Sequence, residues 1–368
     1  MTLPPRLVLP PRTVVERGGI SSLPNEAAQF GARGILVHGG SLEDGGGLAG
    51  VLSRIPEGME IATWRHAGGE PTLKQLERLL AWAREKRPDW MAGVGGGSVI
   101  DIAKACAGLL DAPLSVKEYH AGADIPASRV PFVAAPTTAG TGSEATIVSV
   151  LTDEEENVKK SIRHPSFMAR LVILDSDLLL TCPPAVIAAS GMDAFTQAVE
   201  SYVSNRASRF SEMLSLEAAK LVALNLEAVF EGAAGDRAQG LLEGSYLAGL
   251  ALSHARLGVV HGLAHPLGHR YRAPHGLVCA VCLPAAIEFN RAAMGGKYGA
   301  LGSALGGDLL DTVHGLLSRL RLESPFRGKP LRDRDAVVRE TLASGSTAAN
   351  PRPVDAQDVA NMLDALFC

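Results

Sequence analysis

Half of the ten histidines fall within residues 252–275: His254, His261, His265, His269 and His275. His261 and His265 stand four apart in Val260-His261-Gly262-Leu263-Ala264-His265-Pro266. On a helix that spacing places both rings on one face, and Pro266 is expected to bend or end the helix. His275, in Ala273-Pro274-His275-Gly276, opens the next helical run and can point back. Asp193 and Gln197 form a second four-apart pair, in Gly191-Met192-Asp193-Ala194-Phe195-Thr196-Gln197. A carboxylate and imidazoles on facing helices have the donor chemistry to hold a divalent ion such as Fe²⁺ or Zn²⁺. The plainer reading of the same residues is a set of hydrogen-bonded core or surface histidines.

Two small-residue loops offer a different chemistry. The apolar run Trp90–Val94 passes directly into Gly95-Gly96-Gly97-Ser98, and a helical run follows. Glycines at such a strand-to-helix turn let the backbone approach a phosphate, and free N–H groups at the helix start attract negative charge. Alone, the turn could equally be tight and ligand-free. The ordinary dinucleotide fingerprint also wants an acid roughly 20 residues later, and none fits cleanly. A second run, Ala135-Pro136-Thr137-Thr138-Ala139-Gly140-Thr141-Gly142-Ser143-Glu144, follows the strand-like Val130–Ala134. Two such loops after strands converge on one edge of a parallel sheet, where nucleotides bind.

These residues need a scaffold. Gly34–His38, Trp90–Val94 and Val130–Ala134 read as buried strands. Pro71–Lys86 and Ser98–Leu110 read as helices, with Leu73, Leu76, Leu79, Leu80 and Ala83 on one face of the first. Thr146–Leu151 and Val158–Ile162 flank an acidic tip, Thr152–Asn157, which reads as a solvated hairpin turn. After about Leu180 the pattern is helical: 184–204, 208–230, 238–254 and 276–290. The expectation is an α/β dinucleotide-binding domain over residues 1–180, of the dehydroquinate synthase-like kind, and an all-α metal-binding domain over 181–368. A cleft between them is the natural site. Arg321–Arg334, rich in Pro and charge, reads as a surface loop.

Composition narrows the function. The 368 residues carry a formal net charge of -4 and only 5% aromatics, which argues against nucleic acid as a partner. No run of about 18 apolar residues occurs, and the N-terminus lacks the apolar core of a signal peptide, so a cytoplasmic protein without a membrane span is expected. Five scattered cysteines, Cys106, Cys182, Cys279, Cys282 and Cys368, form no disulfide pattern. Cys279 and Cys282 make a lone CxxC, expected to pack inside a buried helix.

Taken in order, GGGSVIDIAK (95–104), PTTAGTGSEAT (136–146), GMDAFTQAVESYVS (191–204), and HGLAHPLG with PHG (261–276) resemble the iron-containing (group III) alcohol dehydrogenase family. The resemblance runs from about Val14 to near the C-terminus, where Asn350-Pro351-Arg352 also fits. It implies hydride transfer between an alcohol and its aldehyde or ketone with NAD(P) as cofactor. Gly95, Gly96, Gly97 and Ser98 would hold the pyrophosphate. Asp101, Thr137, Thr138 and Thr141 would line the groove, and Lys159 would approach the nicotinamide ribose. Asp193, His261 and His275 match metal ligands, and His265 matches the histidine near the nicotinamide that moves a proton. The metal would lower the pKa of the alcohol. A homodimer is expected by the same resemblance.

Two positions depart from the family pattern. The second metal ligand, a His four after the Asp, is Gln197 here, a poorer donor to borderline metals. Fe²⁺ or Zn²⁺ would then bind weakly, give way to a harder ion, or be absent. Many NAD-using members carry an Asp after the second strand; here the run is His38-Gly39-Gly40-Ser41, and Gly39 and Ser41 leave room for a 2′-phosphate. That leans toward NADP(H). Three alternatives stay open: a metal-independent maleylacetate reductase-like enzyme, a sugar-phosphate cyclase of the dehydroquinate synthase kind, and a non-catalytic nucleotide binder.

Overall fold

The computed structural model describes residues 1–156 and 158–367; Asn157, at the expected hairpin tip, and Cys368 lie outside the described residues. Among the described residues eight strands occur: β1 (Thr13–Val15), β2 (Arg33–His38), β3 (Glu60–Arg65), β4 (Trp90–Gly95), β5 (Phe132–Pro136), β6 (Val148–Asp153), β7 (Val158–Arg163) and β8 (Leu171–Leu174). Six form one sheet in the order β1-β8-β5-β4-β2-β3, and β6 and β7 form a separate hairpin. Every pairing in the larger sheet is parallel. Such sheets are covered on both faces, which explains why β2, β4, β5 and β8 are nearly continuous apolar runs. Three of these strands, β1, β3 and β8, were not expected from the sequence.

Two helices pack the sheet and prepare its carboxyl edge: α1 (Leu73–Lys86) and α2 (Gly97–Leu109). α1 starts where Thr72 and Gln75 cap each other reciprocally, so the helix begins two residues after Pro71. It buries Leu73, Leu76, Leu79, Leu80 and Ala83, at about 1.5–3 kcal/mol for each fully buried leucine. α2 lies close on β4: a Cβ on Gly93 would stand 3.0 Å from Ala103 Cβ. That contact sets the height at which the glycine loop leaves the sheet.

The second half contains α3 (Pro184–Val203), α4 (Arg209–Phe230), α5 (Asp236–Ala255), α6 (Val259–Tyr271) and α7 (His275–Met294), with shorter helices beyond. From Gly191 to Val203 every residue of α3 is buried, as befits a helix surrounded by others. α7 is long and apolar enough to cross a membrane, and half of its apolar window is buried here, packed against α3 and α6. Pro266 does not end its helix; α6 runs through it to Tyr271. Burial of Val259, Val260, Leu263, Ala264 and Leu267 holds the helix together despite the backbone bond that proline removes.

Candidate active site

Register brings the carboxyl ends of three strands to one edge. His38 pairs with Val94 and Gly95 with Pro136, so Gly39, the glycine loop and Thr137 emerge side by side. The Thr137 N–H donates to Gly95 O at 3.0 Å and the Gly39 N–H to Val94 O at 3.3 Å. The two loops then touch. A Cβ on Gly97 would lie 2.7 Å from the Thr141 side chain, and one on Gly96 3.4 Å from Thr138. Gly97 therefore cannot carry a side chain without parting the loops. Gly96 stands at the N-cap of α2, where no side chain caps the helix. An uncapped helix start beside half-exposed Gly96, Gly97 and Ser98 has the chemistry to bind an anion. Ser41 Oγ reaches Thr137 Oγ1 at 3.4 Å, which adds Gly39 and Ser41 to this rim.

Asp101 turns the other way. Its Oδ1 accepts from Ser143 Oγ, and its Oδ2 accepts from the Val150 N–H at 2.9 Å. Its carboxylate thus fixes the threonine loop and β6 to α2. Fully buried Lys104, one turn on, does the same. Its ammonium donates to Ser143 O (2.7 Å), Ser143 Oγ (2.9 Å), Thr146 Oγ1 (3.2 Å) and Val148 O (2.6 Å). Burial, only partly offset by Asp101 and Glu144, lowers the Lys104 pKa to about 8. Burial raises the neighbouring Glu144 to about 7.

On the helical side, Asp193, His261 and His275 come together, and Cys279 joins them. One donor atom from each lies within 4.8 Å of all the others. His261 Nε2 is 3.2 Å from Asp193 Oδ1 and 3.8 Å from Cys279 Sγ; His275 Nε2 is 3.9 Å from Asp193 Oδ1 and 3.6 Å from Cys279 Sγ. The thiol does lie in a buried helix, as expected, but it faces the histidines. α3 and α7 approach this closely because Gly276 has no side chain: a Cβ there would fall 2.1 Å from Ala189 O. Gln197, one turn beyond Asp193, buries Oε1 with no hydrogen-bond donor among the described residues.

Glu200 orients the cluster. Its Oε1 accepts the Val260 N–H at 2.7 Å, and its Oε2 pairs with His261 Nδ1 at 2.6 Å. A proton held on Nδ1 leaves Nε2 as the face presented to Asp193 and Cys279, the arrangement by which a carboxylate fixes a metal-binding histidine. Burial opposes charge on His261, but Cys279, Glu200 and Asp193 hold its pKa well above the ordinary value. Burial likewise opposes ionised Asp193, yet His275 and His261 keep its carboxyl below the usual range. Burial lowers His275 to about 4, with the repulsion of His261 and Lys159 added.

His265 stacks on His275 with ring centroids 5.1 Å apart. The His265 residue is exposed to solvent on one side, while protein crowds the ring elsewhere. Poor solvation of its charged form, with repulsion from His275 and Lys159, puts its pKa well below the ordinary value. Lys159 pairs with Glu70, and its charge disfavours protonation of both His265 and His275. The loops and the cluster are joined by one segment: Thr141 meets Gly97, and a Cβ on the next residue, Gly142, would stand 3.7 Å from Gln197 Oε1. A separate concavity, lined by Arg33, Arg84 and Arg87 among others, opens at the amino ends of β2 and β4, away from these groups.

Sequence reasoning passed over Glu200 and Lys104 and took Cys279 only for a buried thiol. Helical spacing held a signal for two of them. Glu200 is seven residues from Asp193 and Cys279 four from His275, each on the same face as its partner. The CxxC reading drew attention to the wrong interval.

Residues 10–176 match the family described as iron-containing alcohol dehydrogenase, and residues 187–367 its C-terminal part. The chain is 37% identical over 309 residues to long-chain-alcohol dehydrogenase 1 of Geobacillus thermodenitrificans, covering 82% of this chain and 78% of that one. It is 34% identical over 300 residues to the probable alcohol dehydrogenase EutG of Escherichia coli K12, covering 81% and 76%. The structure of an iron-containing alcohol dehydrogenase from Thermococcus thioreducens superposes with a TM-score of 0.90 at 28% identity, covering 98% of this chain and 99% of that chain.

Proposed function

Because this chain belongs to the iron-containing alcohol dehydrogenase family and is an NAD(P)-dependent oxidoreductase of alcohols and their carbonyl compounds, we propose how its own residues divide that work. The observation that carries the proposal is the continuity from Gly97 through Thr141 and Gly142 to Gln197 and Asp193, which sets a phosphate cradle and a metal-binding cluster on two ends of one loop. The cradle fits the phosphates of a dinucleotide because the uncapped start of α2 and the half-exposed Gly96, Gly97 and Ser98 leave N–H groups free for an anion. The cluster fits a divalent ion because its donors are a carboxylate, two imidazoles and a thiol. When bound, the nicotinamide supplies the hydride acceptor or donor, and the metal a Lewis acid for the substrate oxygen.

Asp193, His261 and His275 hold the metal, and Glu200 fixes the tautomer of His261. Neutral His265, at the mouth of the cleft, takes the proton released as an alcohol is oxidised and returns it in the reverse direction. Lys159 approaches the ribose. Gly95, Gly96, Gly97 and Ser98 position the pyrophosphate, with Thr138 and Thr141 closing over it and Thr137 at the rim. These groups contribute orientation more than bond chemistry.

The same reading favours NADP(H). Gly40 carries no side chain, and a Cβ there would stand 3.3 Å from an Arg65 guanidinium nitrogen. Arg65 pairs with Glu43 at 2.6 Å and can exchange that partner for a 2′-phosphate, to which Ser41 adds a donor. Exposed Val15 in β1, at the edge of the sheet, and exposed Leu3, Leu7 and Leu9 ahead of it in the chain support a homodimer.

The test is oxidation of NADPH and NADH with a panel of aliphatic aldehydes, before and after chelation. The expected result is turnover that chelation abolishes and Fe²⁺ or Zn²⁺ restores, with the higher kcat/KM for NADPH. Equal activity in EDTA would refute the metal role and leave the hydride chemistry standing.

A further inference from the structure

We infer that Cys279 is a metal ligand in its own right, a thiolate that takes the fourth place left by the amide at position 197. The inference rests on the metal-binding reading of Asp193, His261 and His275 and adds a donor to it. A tetrahedral ion with bonds of about 2.3 Å to sulfur and about 2.1 Å to nitrogen separates those two donors by about 3.6 Å. The Cys279 sulfur stands 3.6 Å from His275 Nε2 and 3.8 Å from His261 Nε2. The carboxylate edges, 3.2 Å to His261 and 3.9 Å to His275, bracket the corresponding nitrogen–oxygen separation of about 3.4 Å. Four side chains from three helices thus already stand near the corners of a metal polyhedron.

The helix explains why the donors meet. His275 and Cys279 are four apart on α7, so one rigid element presents a nitrogen and a sulfur to the same point. Cys282, three residues further, is buried but is not among the clustered donors. Gln197 keeps a buried oxygen without a donor among the described residues, available as a weak fifth contact. As the metal binds, the thiol proton leaves to solvent and a metal–sulfur bond forms. A thiolate beside two imidazoles and one carboxylate is a softer donor set than three imidazoles and a carboxylate. It shifts the site's preference from iron toward zinc and cobalt.

The experiment uses the full-length protein stripped of metal and titrated with Co²⁺, read by ultraviolet–visible absorption and elemental analysis. The expected result is one Co²⁺ per chain with an intense sulfur-to-cobalt charge-transfer band in the near ultraviolet. Cys279→Ser should lose that band and bind Zn²⁺ at least about tenfold more weakly, since losing even an outer partner of a ligand costs that much. Cys282→Ser and Gln197→Ala should keep the band. One Co²⁺ per chain without the band overturns the thiolate and leaves the other three ligands in place. A band that persists in Cys279→Ser also overturns it. Failure of the wild-type chain to bind Co²⁺ or Zn²⁺ overturns the metal reading itself, and this inference with it. The wild-type spectrum decides the matter even if Cys279→Ser does not fold.

Discussion

Replacing Glu200 by Gln keeps the shape of the side chain and removes one acceptor and the charge. The wild-type carboxylate takes two buried donors, the Val260 N–H at 2.7 Å and His261 Nδ1 at 2.6 Å. A hydrogen bond to a charged group contributes about 1.5–3 kcal/mol, and a buried donor left unsatisfied costs about 1–3 kcal/mol. The amide retains one of the two bonds in weaker, neutral form and turns its NH₂ toward the other donor. Together these come to about 2.5–6 kcal/mol, which brackets the about 3–5 kcal/mol usual for breaking a buried charged pair. Freed from Oε2, His261 loses the constraint that keeps Nε2 toward Asp193, so metal affinity should fall about 10–100-fold. Denaturant unfolding of the metal-free protein measures the first quantity, and competition with a chromogenic zinc chelator the second. An unfolding free energy unchanged within about 1 kcal/mol, together with an unchanged Kd, would refute the claim that Glu200 orients this site.

Two further substitutions probe the scaffold. Gly276→Ala drives a Cβ into Ala189 O and should cost about 1–3 kcal/mol as overpacking, while weakening metal binding because α7 carries both His275 and Cys279 away from Asp193; Zn²⁺ affinity at wild-type level would show the contact to be slack. Lys104→Met strands the carbonyls of Ser143 and Val148 and leaves Asp101 without its cation, an expected loss of about 3–5 kcal/mol in denaturant unfolding. The same residue gives a pH signature. With a folded pKa of about 8 against an ordinary 10.5, the folded chain holds fewer protons than the unfolded one between those values. The wild type should therefore gain stability as pH rises through that window, and Lys104→Met should lack that slope.

Much of this was legible in the residues because it depends on local signals. The glycine loop follows an apolar run and opens a helix, so the residues alone put Gly95 to Ser98 at a strand-to-helix turn. The four-apart spacings of Asp193 with Gln197 and of His261 with His265 located the correct helix faces. What escaped depends on contacts across the chain. β1 is three residues at the sheet edge, and β3 (Glu-Ile-Ala-Thr-Trp-Arg) is half exposed, so neither has the apolar density of a central strand. β8, Leu-Val-Ile-Leu, is dense enough but only four residues long. Asp101 was set down with the cofactor, although its carboxylate is engaged by Ser143 and Val150; only the fold reveals that partner 49 residues away. The role of Cys279 likewise needed the approach of α3 to α7.

The threonine loop is wedged between the halves without any cushioning. A Cβ on Gly140 would meet Ser190 at 2.5 Å, and one on Gly142 would meet Gly249 Cα at the same distance. Main chain rests there on main chain or on the root of a side chain, with no long rotamer to absorb displacement. A shift of this loop would press directly on the helix bearing Asp193. The proposed nucleotide groove and the proposed metal cluster thus share one closely packed wall.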